Sequence, residues 1–86
     1  MNLIEKAVTD CLADAILNKG FSITVNDGFE DPLKRSRDKD KVIEETGTTD
    51  ETWWFMINIG GKRAGWWRLT HGNGLDVISD FSAKRS

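Results

Sequence analysis

Thr52-Trp53-Trp54-Phe55-Met56-Ile57-Asn58-Ile59-Gly60-Gly61-Lys62-Arg63-Ala64-Gly65-Trp66-Trp67-Arg68-Leu69 decides the fold of this chain. All four tryptophans lie in it, as two doublets inside fifteen residues. Two strand-like runs around a Gly-rich turn read as a β-hairpin. Side chains on a strand alternate between faces, so each doublet sets one indole on either side of the sheet. A core beneath one face needs only one of them. The other face carries large apolar groups for a covering element or a partner. With Ile59-Gly60-Gly61 as the loop, Trp53 stands opposite Trp67, Trp54 opposite Trp66, and Gly65 across from Phe55. This register assigns Trp53, Phe55, Ile57, Trp67 and Leu69 to the core, and Trp54, Met56, Trp66 and Arg68 to the outer face. A slip of one residue reshuffles the pairs and keeps the alternation within each strand.

Upstream, Leu3, Ile4, Ala7, Val8, Cys11, Leu12, Ala15 and Ile16 recur at three- and four-residue spacing. That is one apolar stripe on a helix, expected to face the sheet. Asn2 and Glu5 are spaced as a capping box, and Gly20 supplies the left-handed residue that stops the helix. Phe21, Ile23 and Val25 alternate with polar residues as a strand, and Asn26-Asp27-Gly28 marks a tight turn. A second strand is expected from Phe29 to about Lys34, held to an edge by Pro32. Ser36 or Asp38 caps a short helix through Glu45 with Val42 and Ile43 inward, and residues 46–50 form a loop. Downstream, residues 71–74 read as a turn, Asp76–Phe81 as a closing strand, and Ser82–Ser86 as a polar, frayed tail. The expected fold is α+β. An N-terminal helix packs on an antiparallel sheet of four or five strands, with a short second helix, as one small domain over residues 1–86.

Eighty-six residues leave no room for a second core. The hydrophobic fraction of 38% and charged fraction of 30% are ordinary for a soluble globular protein. A net charge of -2 argues against a dedicated polyanion binder. Basic residues nonetheless concentrate at Lys34-Arg35-Ser36-Arg37-Asp38-Lys39-Asp40-Lys41. Cys11 is the only cysteine, so neither an intrachain disulfide nor a thiolate zinc cluster is available. No apolar run approaches the ~20 residues of a membrane span, and the start lacks the pattern of a signal peptide. The expectation is a cytoplasmic protein without membrane contact.

The chain offers little for catalysis. His71 stands alone, and its pairing with Asp76 or Asp80 as an acid–base couple is a weaker reading than residence in a turn. Asn73, Asp76 and Asp80 lack the ligand alternation of a calcium loop. Gly72-Asn73-Gly74 is not a phosphate cradle, because no helix follows it. No cofactor, metal or enzymatic activity is therefore expected. Trp54, Met56 and Trp66 are the informative group, since Trp and Met are enriched in interface cores. Arg68, Arg35 and Arg37 complete the candidate binding set, with Arg63 available nearby. The same indoles and arginines also suit base stacking of single-stranded nucleic acid, though the acidic balance weakens phosphate binding.

The stretch Gly72-Asn73-Gly74-Leu75-Asp76-Val77-Ile78-Ser79-Asp80-Phe81-Ser82 resembles the C-terminal end of small accessory proteins of temperate phages and prophages of enteric bacteria. Thr24-Val25-Asn26-Asp27-Gly28, and Lys34-Arg35-Ser36 followed by Asp38, are similar to that family too. Phe81 stands where tyrosine is usual, and the Trp doublets are peculiar to this chain. The resemblance implies a phage gene product in the host bacterial cytosol. It implies a small binding protein that inhibits or redirects a host protein, including defence systems. A single-stranded nucleic-acid binder and a self-associating homodimer are the alternatives.

Overall fold

The computed structural model describes residues 3–72 and 77–83. In chain order the elements are α1 (Leu3–Asn18), β1 (Ser22–Asn26), β2 (Leu33–Ser36), α2 (Lys39–Thr46), β3 (Glu51–Ile57), β4 (Arg63–Thr70) and β5 (Ile78–Ala83). The strands form one antiparallel sheet in the order β2-β1-β3-β4-β5. Both helices lie on one face of it, where Ala13, Ile16, Leu17, Val42, Ile23, Val25, Trp54 and Leu69 make the core. The α+β architecture read from the sequence is thus the observed one.

Local chemistry sets the element ends. Gly20, at φ 92°, closes α1, with its N–H on the Leu17 carbonyl. Arg37 reinforces this end by donating to the Leu17 carbonyl at 3.1 Å and the Phe21 carbonyl at 2.7 Å. A cation on a helix's last carbonyls is favoured by the aligned peptide dipoles. Asp38 caps α2, its carboxylate accepting from the Asp40 and Lys41 amides. The second strand begins later than expected. Asp27 folds the chain back by accepting from the Phe29 and Glu30 amides, which leaves Phe29 exposed in the turn. β2 then carries an extra residue between its pairings to Ile23 and Val25, beside Arg35 at φ 49°. β5 runs on to Ala83, past the expected end at Phe81. The capping role of Asn2, the turn residues Asn73 and Gly74, Asp76 and the tail from Lys84 lie outside the described residues.

The hairpin departs from the expected register for a definite reason. Its turn is as read: the Asn58 amide donates to the Lys62 carbonyl at 2.9 Å, and Gly61 takes φ 83°. Ile57 pairs with Arg63, but Met56 pairs with Gly65, so Ala64 is an extra residue without a partner on β3. Such a bulge shifts every later pair by one. Trp54 therefore stands opposite Trp67, Phe55 opposite Trp66, and Trp53 opposite Arg68. Trp67 and Leu69 keep their expected inward place, whereas the two faces of β3 are exchanged. Trp54 is fully buried and Met56 is 7% exposed, which corrects their assignment to the outer face. Trp53, Phe55 and Ile57 take that face instead. The Trp54 indole N–H donates to Thr46 Oγ1 at 2.8 Å, and the Thr46 hydroxyl in turn donates a hydrogen bond to the Val42 carbonyl. A buried indole thus finds the partner that its burial demands.

α1 is also rolled from its expected orientation. Glu5, Thr9, Ala13, Ile16 and Leu17 are buried, while Leu3 is 86% and Ile4 52% exposed. Ala7, Cys11 and Ala15 are exposed, and Val8 and Leu12 lie at the margin. One contact beyond the helix holds the roll, and one bond inside it satisfies the buried Thr9 hydroxyl. The buried Glu5 carboxylate accepts from the Gly72 amide, and the Thr9 hydroxyl donates to the Glu5 carbonyl at 2.7 Å. With the bulk of Trp54 turned inward, the helix meets the sheet through the small side chains of Thr9 and Ala13.

Candidate functional site

The outer sheet face is the candidate site, because no described helix covers it. Its centre is the β3–β4 pair. Phe55 stands opposite Trp66 and Trp53 opposite Arg68, all partly exposed. Arginines dress the rings. The Arg63 guanidinium lies 3.8 Å from the Phe55 ring centre, and that of Arg68 lies 5.8 Å from the Trp53 ring centre. Arg68 also pairs with Glu51 at 2.9 Å, which sets its orientation along the strand. Gly28 approaches closely on the other side of Trp53. A Cβ there would sit 3.3 Å from the indole, so the turn after β1 bounds the aromatic surface.

The face extends toward β2. Arg35 reaches from β2 to the Gly61 carbonyl at 3.4 Å, with its own amide held by Thr24 Oγ1 at 3.0 Å. Arg35, Arg63, Lys34, Phe55 and Ile57 share a shallow depression of about 270 Å³, with Asp31 at its rim. The result is an aromatic strip flanked by four basic side chains, Lys34, Arg35, Arg63 and Arg68. A cation over an aromatic ring is attracted by the ring's quadrupole and loses little hydration when a second surface closes on it. Chemically, this face suits acidic and flat groups.

No family model, curated protein or solved structure matches this chain. The site therefore stands on its own residues. Of the six positions singled out from sequence, Trp66, Arg68 and Arg35 are on this face. Trp54 and Met56 are on the opposite one, in the core. Arg37 is turned away to the end of α1, where it donates to the helix carbonyl of Leu17 and to the Phe21 carbonyl just beyond. Trp53 and Phe55 belong to the site although their alternation assigns them to the core, and Arg63, expected nearby, lies over Phe55. The bulge hides the two aromatics, because both alternation sets of β3 are equally apolar. The one cue was the small pair Ala64-Gly65, where a strand bends most easily.

Of the remaining candidates, Asn73 and Asp76 lie outside the described residues, and His71 follows the end of β4. His71 is half-buried, its amide on the Asp50 carbonyl at 2.8 Å. Burial pushes its imidazole below the usual pKa, and the nearby Glu5 carboxylate opposes that shift. Among the described residues no group of three or more His, Cys, Asp or Glu side chains is placed to hold a metal ion. No helix among them is long and apolar enough to cross a membrane.

Proposed function

We propose that this chain is a binding protein that seats an acid-bearing protein surface on its outer sheet face. The observation that carries the reading is the uncovered strip of Trp53, Phe55 and Trp66 with Arg63 stacked on Phe55. Partly exposed aromatics ringed by arginine form the composition in which binding energy concentrates. The resemblance to phage accessory proteins read from the sequence supports a partner in the cytosol of a bacterial host, a protein whose action is blocked or redirected. Host defence components fall within that class. Single-stranded nucleic acid is the competing ligand, favoured by the stacked rings and opposed by the net charge of -2.

The test is capture from bacterial lysate, with and without nuclease, by the parent and by Trp53→Ala combined with Trp66→Ala. A host protein retained after nuclease by the parent, and lost by the double variant, supports the proposal. Removing two central aromatic anchors should weaken binding by about 100-fold or more. Affinity that falls linearly and steeply with salt on a log–log plot would instead assign the face to nucleic acid.

A further inference from the structure

Arg35 is held in place from three directions. Its backbone takes φ 49°, a left-handed conformation that few non-glycine residues adopt. The buried Thr24 hydroxyl secures it by accepting from the Arg35 amide at 3.0 Å. Gly61 makes room for the guanidinium, since a Cβ there would lie 2.9 Å from Nη2. One donor of Arg35 goes to the Gly61 carbonyl at 3.4 Å, and a guanidinium carries five. Arg63 is fixed in another way, stacked 3.8 Å from the Phe55 ring centre, and stacking leaves the donors in its own plane available. Both arginines line the 270 Å³ depression together with Lys34. Among the described residues none of these three cations has an acidic partner. Asp31, on the rim, accepts from Asn26 Nδ2 at 2.8 Å.

We infer that this depression receives a phosphoryl group carried by a phosphorylated side chain of the partner protein. The inference rests on the outer face being a protein-binding site, as proposed above. The charge count selects the group. Lys34 and Arg35 come from β2, Arg63 from β4 and Asp31 from the segment before β2, while β1 and β3 supply uncharged residues. Three positive charges less one negative charge leave two positive charges. A carboxylate neutralises one of them. A phosphomonoester near pH 7 carries a charge of about -1.5 to -2 and neutralises both. The donors agree with this choice. A phosphoryl group offers three strong acceptor oxygens, and each planar guanidinium can present two parallel N–H groups to it. Because Arg35 and Arg63 are already oriented, less side-chain freedom is lost when the ligand arrives. The position of the depression argues for a polypeptide over a free anion. Trp66 stands directly across from Phe55, so a chain that delivers its phosphate here continues onto the aromatic strip. The depression is also shallow, whereas a free small molecule is generally enclosed on most of its surface.

The probes are phenyl phosphate, phenyl sulfate and benzoate, which share one ring and differ in charge and shape. Each is titrated into the full chain and followed by the arginine Nε–H and backbone amide resonances. Phenyl phosphate should bind about tenfold more tightly than either of the others. Its affinity should fall about fivefold or more from about pH 7.5 to about pH 5, as the dianion takes up a proton around its second pKa of about 6. Phenyl sulfate stays a monoanion over that range and reports the protein's own response to pH. Arg35→Gln and Arg63→Gln should each weaken phenyl phosphate by about tenfold and keep the parent's circular dichroism. Lys41→Gln, on α2, should bind as the parent does. A host protein captured from lysate should be lost once the lysate has been treated with phosphatase. Equal affinity for phosphate and sulfate, no step across the pH range, or full binding by both glutamine variants overturns the inference. Capture that survives phosphatase but is lost with Trp53→Ala and Trp66→Ala overturns it and leaves the proposed function standing, whereas a parent that captures nothing overturns both.

Discussion

Replacing Trp54 by alanine tests the exchanged faces of β3 most directly. Its indole is fully buried between sheet and helices, and its N–H ends on Thr46 Oγ1. Truncating a buried Trp typically costs about 3–5 kcal/mol through lost transfer energy and the cavity left behind. A chain of this size has a total stability of about 4–13 kcal/mol at 0.05–0.15 kcal/mol per residue. Trp54→Ala should therefore lose about a quarter of that stability at the upper end of the range and all of it at the lower end. Trp53→Ala, on the outer face, gives up one cation–π contact and partly exposed area, about 1 kcal/mol. A finer version isolates the hydrogen bond. Thr46→Val leaves a buried N–H without an acceptor, at about 1–3 kcal/mol. In the Trp54→Phe background that N–H is gone, and the same substitution should cost clearly less. Urea unfolding followed by far-ultraviolet circular dichroism gives all four values. Equal losses for Trp53→Ala and Trp54→Ala, or a Thr46→Val cost independent of background, would refute the assignment.

Two further outcomes follow from the helix layer. Ile16→Ala should cost about 2–5 kcal/mol, while Leu3→Ala and Ile4→Ser should change monomer stability by no more than about 0.5 kcal/mol. The reverse ranking in urea midpoints would mean that α1 faces the sheet with its other side. Stability should also depend on pH through His71. Burial depresses its folded pKa, so the unfolded chain binds the proton more readily. The contribution is fully present above the unfolded value of about 6.5 and is lost progressively as pH falls below it. His71→Gln should flatten that part of the profile, and a parent stabilised by mild acid would show the sign to be wrong.

Much of the fold is legible in the residues because short-range chemistry writes it. Gly20 and Asp38 mark where α1 ends and α2 begins, and Asn58 to Lys62 gives the hairpin turn with its three-residue loop. What escaped is relative: which face of an element meets its neighbour. Trp53-Phe55-Ile57 and Trp54-Met56 are both apolar sets, so alternation alone cannot choose between them. The choice rests on one unpaired residue, Ala64, and on an acceptor at Thr46, which follows from tertiary structure. The roll of α1 escaped for a similar reason. Periodicity ranks the apolar side as inward, yet Glu5 is drawn in by the backbone amide of Gly72, a residue far along the chain. The candidate site inherited both effects. Trp66 and Arg68 were placed by a strand whose parity was right, and Trp53 and Phe55 were lost with the strand whose parity was wrong.

The Ala64 bulge also makes the hairpin ambiguous to itself while the chain is still folding. Without the bulge, the same turn pairs Trp53 with Trp67 and Trp54 with Trp66, with as many aromatic partners across the ladder. Two hairpin frames thus compete with little in the strands to separate them. This is frustration in the landscape sense: a local choice that only non-local contacts resolve. The arbiter is α2, since only the bulged frame turns the Trp54 N–H toward Thr46. A hairpin that closes in the unbulged frame must reopen before the Trp54 N–H can reach Thr46.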